Sequence, residues 1–282
     1  GDKTQGAVAT FPSLTHDWAT AGTGEILGEW WDHRKDVVNE AIQAAASKIL
    51  STPGKVRWLD LLRTVQELLA QRHIQLYAAD ASVQAFFERQ GWAGKLVQPD
   101  RDYLLVVDSN VGYNKVSANV DQSIAYDVTL SPQEPRARLT IRYTNRSITP
   151  VEECNKLGQY VPTYEAMMQG CYWDYVRVYV PDGTRLLSAT GGDEQVTVLA
   201  ELGRTAFAVP FVLQPGESRE LSFEYLLPPT VLRENAYGLV VQKQAGTDAI
   251  PLTIHVSAPD SSWQEVMGLS PATTQATGTL LR

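Results

Sequence analysis

Two spacings of apolar residues divide the chain. Between Asp36 and Leu50, residues Val37, Val38, Ala41, Ile42, Ala45 and Ile49 recur every three or four positions, which is one face of a helix. Ser51-Thr52-Pro53-Gly54 breaks that pattern. Thr52 suits an N-cap and Pro53 a first helical position, opening a second helix with Val56, Leu59, Leu62, Val65, Leu68 and Leu69 on one face. The stretch "HIQLYA" (73–78) is short and β-leaning. Asp80 then fits the cap of a third helix, with Val83, Phe86 and Phe87 inward and Gly91 as its end. A lone strand needs a partner, so "IQLY" is expected to join a later sheet or strands outside this sequence.

From Asp102 the period falls to two. "DYLLVVD", "SIAYDVTL", "RARLTIRYTN", "DYVRVYVP", "EQVTVLAE", "TAFAVPFVL", "RELSFEYLL", "AYGLVVQKQ" and "PLTIHVSA" read as strands, separated in many places by turn signals such as Pro181-Asp182-Gly183 and Gln214-Pro215-Gly216. In "RARLTIRYTN", Ala137, Leu139, Ile141 and Tyr143 point one way and Arg136, Arg138, Thr140 and Arg142 the other, which predicts a sheet with one wet face. The expected fold is α+β: a helical or small α/β segment over residues 1–99, then an antiparallel immunoglobulin-like β-sandwich over 100–258. The Ser-, Thr- and Ala-rich remainder, 259–282, reads as a partly disordered tail.

Composition narrows the function classes. The chain has 282 residues, 44% hydrophobic and 20% charged, which suits a normal core. A formal net charge of -8 argues against nucleic acid as a partner, because phosphate binding needs a basic surface. No apolar run approaches the roughly 20 residues that span a bilayer. A start at Gly1 reads as a processed fragment whose targeting segment lies upstream. Cys154 and Cys171 have no CxxC spacing and no nearby histidine, so zinc is disfavoured. They read either as two buried thiols or as a disulfide worth about 3 kcal/mol. The irregular stretch between them favours the disulfide.

Catalytic motifs are weak. "GTGEILG" (22–28) has the wrong spacing for a dinucleotide loop, and GxSxG, HExxH and SxxK do not occur. His16, His33, His73 and His255 show no metal-ligand spacing, and His255 reads as a sheet histidine. "NRS" (145–147) matches a glycosylation sequon but reads better as a polar strand end. Two groups stand out as binding candidates. The loop "DSNVGYNK" offers Asp108, Asn110, Asn114 and Lys115, either as ligand contacts or as a hydrogen-bonded turn bracing a junction between domains. The cysteine-bracketed stretch gathers Tyr160, Tyr164, Tyr172, Trp173 and Tyr175, as an exposed recognition surface or as the core of a long loop.

"RHIQLYAADASVQAFFERQGWAGKL", "DYLLVVDSNVGYNK", "DYVRVYVPDGTRLLSATG" and "AYGLVVQKQAGT", taken in order, resemble the C-terminal half of a bacterial family catalogued as domain of unknown function number 4012. The likeness runs from about Arg34 to Val256. It implies an envelope protein with an N-terminal membrane anchor, encoded among genes for surface polysaccharide. It supplies no reaction and no catalytic residue, and the family's more N-terminal segment is not in this sequence.

The expectation is therefore a non-catalytic extracytoplasmic module for surface assembly, with a cell-surface glycan or protein as partner and a membrane tie only through an anchor outside this sequence. The alternative is an enzyme, or part of one, acting on envelope polysaccharide or its lipid-linked precursors. That alternative requires a cleft lined by Asp100, Arg101, Asp102, Asp108 and Lys115. No cofactor is implied beyond structural calcium, for which Asp100, Asp102, Asp108 and Asp121 are the candidate ligands.

Overall fold

The computed structural model describes residues 36–279 apart from 99, 113, 132, 155–166, 234–235, 260 and 270–272. Helix α1 spans Asp36–Ser51, α2 Trp58–Ala70 and α3 Ala81–Arg89. Thr52 does not cap α2. Its hydroxyl donates to the Lys48 carbonyl at 2.8 Å, satisfying the end of α1, and a 3-10 turn at Pro53–Lys55 delays α2 to Trp58. Asp80 does cap α3, accepting from the Ser82 and Val83 amides at 2.9 and 3.0 Å. Gly91, at φ +74°, closes the helix: its own amide bonds to Glu88 and the Trp92 amide to Phe87. "IQLY" is not a strand. The Leu76 amide bonds to the Trp92 carbonyl and the Ala78 amide to the Gln84 side chain, so the segment is satisfied locally against the end of α3.

The strands run in chain order as β1 (Asp102–Val107), β2 (Val120–Thr129), β3 (Arg136–Asn145), β4 (Tyr172–Val180) and β5 (Arg185–Thr190). They continue with β6 (Thr197–Glu201), β7 (Arg204–Leu213), β8 (Ser218–Leu226) and β9 (Leu232–Arg233). The last four are β10 (Ala236–Gln242), β11 (Ile250–Ala258), β12 (Ser261–Leu269) and β13 (Thr273–Thr279). Sheet A has the order β13-β10-β1-β4-β7-β6 with β9 added to β10, and sheet B the order β12-β11-β2-β3-β8-β5.

The chain is mostly β, and the expected antiparallel immunoglobulin-like sandwich is not what forms. Each sheet contains a parallel pair: β1 with β10, from Asp102↔Leu239 to Leu105↔Gln242, and β2 with β11, from Leu252↔Ile124 to Ser257↔Thr129. The cause is topological. After β1 the chain crosses from sheet A to β2 in sheet B, and after β10 it crosses the same way to β11. Two links that leave one sheet at the same end and enter the other at the same end force both pairs to be parallel. Period-two alternation records which face is buried and is blind to the direction of a neighbour. The tail also departs from expectation. The open edges of β11 and β10 give β12 and β13 backbone partners over their whole lengths, and the threonines of β13 suit a strand.

The core lies between the sheets. Ala137, Leu139, Ile141 and Tyr143 of β3 point into it as the alternation predicts. Rings from the two sheets meet there: Phe207 lies 6.2 Å from Phe223, and Phe211 4.8 Å from Tyr143. Each buried side chain of this size contributes roughly 1.5–3 kcal/mol. On the wet face of sheet B, Arg138 pairs with Glu224 and Arg142 with Glu220. The outer face of sheet A is covered too. Tyr103, Leu105, Tyr179 and Val240 pack under Leu96 and Val97, and the Arg204 guanidinium stacks 3.9 Å from the Tyr103 ring centre. Gln242 ties this layer down, accepting from the Tyr103 hydroxyl at 2.9 Å and the Val97 amide at 3.0 Å.

Asp102 opens β1 with no exposed surface. Its carboxyl accepts from the Tyr103 amide and the Tyr126 hydroxyl, each at 2.7 Å, and from the Tyr237 hydroxyl at 2.5 Å. Burial outweighs these bonds and lifts its pKa from an ordinary 3.8 to about 6. The folded state therefore holds the proton more tightly than the unfolded chain. Its contribution to stability is complete below about pH 4 and is lost as pH rises through about 6, a change of about 3 kcal/mol. Urea unfolding across that range should show wild type losing stability relative to Asp102→Asn. Parallel stability curves for the two proteins would contradict the assignment.

Candidate functional site

The loop after β1 carries the chain from sheet A to sheet B, and its polar residues stitch that crossing. The Asn110 side chain accepts from the Gly112 amide at 2.9 Å and donates to Asn114 Oδ1 at 2.9 Å and Ser117 Oγ at 3.0 Å. The Tyr175 amide bonds to Ser109 and the Val111 amide to Trp173, so the loop stays laced to β4 beyond the end of β1. Asn114 donates to the Cys171 carbonyl at 2.9 Å, Asn119 to Met168 at 2.6 Å and Asn145 to Gly170 at 2.8 Å. The turn reading of the loop is thus right in kind, but the junction it braces is the sheet-to-sheet crossing and not a domain boundary.

The second crossing, residues 243–249, runs beside the first. Lys243 is 2% exposed, and its ammonium folds back onto its own loop, donating to the Gln244 carbonyl at 3.1 Å, to Thr247 Oγ1 at 3.2 Å and to the Thr247 carbonyl. Burial lowers its pKa. The loop so formed presents Gln244 to Asp108. Gln244 Oε1 accepts from the Asp108 amide at 2.8 Å, and its Nε2 donates to the Asp108 carbonyl at 3.0 Å. The side chain thereby copies one more rung of the parallel β1–β10 ladder.

Between the two links, at this end of the sandwich, lies a cavity of about 690 Å³. Asp108, Gln122, Tyr143 and Tyr172 line it on the core side, and Asp121, Arg146 and Asp248 nearer its rim. Asp108 accepts from Tyr143 at 2.6 Å and from Gln122 at 2.9 Å. Phe211, 4.8 Å from Tyr143 and 6.0 Å from Tyr172, supports both rings from below.

Behind Asp108 stands Asp174, an inward position of β4 that shares its face with Tyr172, Val176 and Val178. It is 1% exposed, and among the described residues neither carboxyl oxygen meets a donor at full hydrogen-bond geometry. Burial, then the charge of Asp108, raises its pKa well above the usual carboxylate range, and the Tyr172 hydroxyl and Ser109 amide offset this only weakly. Burial also raises Asp108, whose carboxyl contacts that of Asp174. Burial, with Asp108 nearby, keeps Tyr143 and Tyr172 as neutral phenols.

The expected site residues are dispersed. Asp108 and Asn110 line the cavity. Asn114 belongs to the loop's internal bonding. Lys115 is exposed and contributes its amide to the Met167 carbonyl at 2.8 Å. Trp173 lines a separate open groove with Cys154 and Arg219, while Tyr160 and Tyr164 fall outside the described residues. Asp100 pairs with Arg233 at 2.7 Å at the start of β1, where Asp102 is buried, and Asp108 follows its end. Six strand residues separate these by roughly 20 Å. The cleft required of the enzyme alternative therefore does not assemble from those residues. Nor do the four aspartates proposed for calcium converge: Asp121 pairs with Arg146 at 2.9 Å, and no metal-ligating cluster occurs among the described residues. Cys154 and Cys171 form a disulfide with Cα atoms 5.7 Å apart. The sequon asparagine, Asn145, is fully buried, donating to Gly170 and Leu213 and accepting from the Ser147 amide at 3.0 Å, which makes it a strand end.

Sequence reasoning missed Asp174, Gln122, Tyr143 and Gln244 as site residues. Asp174 left a signal: within "DYVRVYVP" it occupies the core-facing phase with Val176 and Val178, where a carboxyl is costly without a purpose.

No protein-family model and no curated protein matches the chain. Among solved structures it is similar to an M1 zinc metallopeptidase of Deinococcus radiodurans bound to a Tyr-Ser-Ala substrate, at 13% identity and a TM-score of 0.26, over 50% of this chain and 32% of that one. It is also similar to the native leukotriene A4 hydrolase of Saccharomyces cerevisiae, at 4% identity and a TM-score of 0.31, over 58% of this chain and 31% of that one. The matched part is about a third of either enzyme, and the likenesses are too remote to carry an argument about function.

Asn110→Ala removes two donated bonds and one accepted bond from the first crossing. It should lower stability by about 2 kcal/mol, read as a drop of several degrees in melting temperature. An unchanged melt would show that the crossing does not depend on this side chain.

Proposed function

We propose that the protein is an extracytoplasmic, non-catalytic module of a bacterial cell-envelope protein and that the cavity beside Asp108 binds a surface glycan. The observation that carries this reading is the cavity itself. It has the size of a small-ligand site, and its polar groups sit on two cross-braced links instead of a free loop. Its carboxylates, amides and phenols are the groups that hydrogen-bond sugar hydroxyls. The Cys154–Cys171 disulfide is consistent with an oxidising compartment, and among the described residues no helix is long and apolar enough to cross a membrane. The resemblance to the envelope family supports a tether outside this sequence.

One observation favours an enzyme built on the cavity in place of the cleft that does not assemble. Asp108, Asp121 and Asp248 line a single cavity, and glycoside hydrolysis uses paired carboxyls. Release of reducing ends from envelope polysaccharide would favour that reading.

A glycan array probed with the purified protein should return at least one bound polysaccharide class. Asp108→Ala should weaken that binding by tenfold or more, roughly the value of a charged hydrogen bond. Trp173→Ala, in the separate groove, should leave it unchanged. An empty array, or equal loss in both variants, would remove the cavity from consideration.

A further inference from the structure

Sheet A ends on an open edge at β6, and among the described residues no strand pairs with its far side. A two-residue turn joins β6 to β7, with Leu202 at φ +55° and Gly203 at φ +70°. Positive φ at both central residues marks the hairpin turn whose flanking residues, here Glu201 and Arg204, exchange both backbone bonds. Leu199↔Ala206 and Thr197↔Ala208 continue that alternation. The N–H and C=O groups of Val198 and Ala200 therefore point away from β7, into the open edge. Edge strands usually carry something that deters pairing. β5, an edge strand of sheet B, has a bulge between Leu186 and Ser188. β6 has no bulge, no proline and no lysine. Its one charged residue, Glu201, is occupied within the chain by Arg177 at 3.6 Å and by the Tyr179 hydroxyl. Val198, Ala200 and, at the turn, Leu202 form an apolar row, with Val198 52% and Leu202 65% exposed. Leu202 is costly twice: it holds a left-handed conformation suited to asparagine or glycine, and it leaves apolar surface in water.

We propose that β6 is a dimerisation edge, pairing antiparallel with β6 of a second copy of this chain about a two-fold axis at Leu199. In that register Val198 of each copy faces Ala200 of the other. Each such pair exchanges two backbone bonds, and the two pairs together satisfy the outward groups of Val198 and Ala200 on both strands. Leu199 meets its own counterpart across the axis. Glu201 falls opposite Thr197, so no two like charges face each other along the strand. One step further, Leu202 comes alongside Val196 of the second copy, a residue already packed on the margin of the core. That match argues for a second copy over an arbitrary extended peptide, because the strand's own sequence supplies the apolar neighbour that Leu202 lacks. The contact is isologous and closes at two copies. It is independent of what the cavity beside Asp108 binds.

Sedimentation velocity of the full chain tests the proposal. Between about 5 and 500 µM it should show a monomer–dimer equilibrium, since so short an interface supports only weak association. Val198→Lys puts a charge into the apolar row, and Ala200→Pro removes an outward N–H that the β6–β7 ladder does not use. Each should weaken the dimer by at least about tenfold and leave the melting temperature of the dilute monomer unchanged. If Ala200→Pro melts early, Val198→Lys decides alone. Leu199→Cys should give a disulfide-linked dimer under mild oxidation, because a directly opposed pair brings its Cβ atoms within about 5.5 Å. A protein that stays monomeric over the whole range overturns the proposal. So does a dimer that Val198→Lys leaves intact; the exposed apolar side chains of α1 and α2, such as Ile42, Leu59 and Leu62, would then be the place to look for the contact. A Leu199→Cys dimer that does not cross-link overturns the register, and with it the pairing of Val198 and Ala200.

Discussion

The parallel alignment of β1 and β10 is the constraint on which the rest of the molecule depends. Those strands lie side by side inside sheet A, and each is followed by a crossing into sheet B. Once they lie parallel, β2 and β11 must lie parallel too, and the two crossings must run side by side. Gln244 fixes this arrangement at the point where the strands end, bonding to both the amide and the carbonyl of Asp108. A backbone rung would have required the strands to continue together. A glutamine side chain lets them part and still leaves no orphaned peptide group. The gap that opens between the links is the cavity.

The same economy explains Lys243. A buried lysine is costly unless its ammonium is bonded. Here three donors meet acceptors of residues 244 and 247, and the loop is shaped around the charge. The lysine positions Gln244, and Gln244 positions Asp108. On the other side, Asn114 and Asn119 tie the disulfide-bearing stretch to the first crossing, and Asn145 ties it to the end of β3. The rim of the cavity is thereby held by side-chain-to-backbone bonds from several elements, which keeps irregular backbone in one conformation.

Much of this was legible in the sequence. All nine alternating segments are strands, the arginine face of β3 is the wet face, and Asp80 and Gly91 bound a helix. Strand direction was not legible, because alternation is the same for parallel and antiparallel neighbours. One hint was present: "DYLLVVD" and "AYGLVVQ" are apolar on both phases, as expected for strands covered on both faces, and β1 and β10 are buried almost throughout. β12 and β13 escaped notice because their pairing is supplied by edges that only the assembled sheets create. The site was half legible. Asp108 and Asn110 stood out as polar residues in a loop, but Asp174 was hidden inside a strand whose alternation looked ordinary. Its partner lies 66 positions earlier, and only the crossing brings them together.

Asp102 and the Asp108–Asp174 pair sit at opposite ends of the same strand region and answer the same problem differently. Asp102 has no exposed surface, and three donors reach its oxygens from Tyr103, Tyr126 and Tyr237. There the acid is a satisfied part of the core. At the other end Asp174 is almost as deeply buried, yet among the described residues its carboxyl meets no well-formed donor, and Asp108 beside it lines the cavity. A buried carboxyl without donors is a poor structural element, because an apolar side chain of similar shape would cost less. Asp108, in front of it, is fixed at the cavity wall by the Tyr143 hydroxyl and the Gln122 amide.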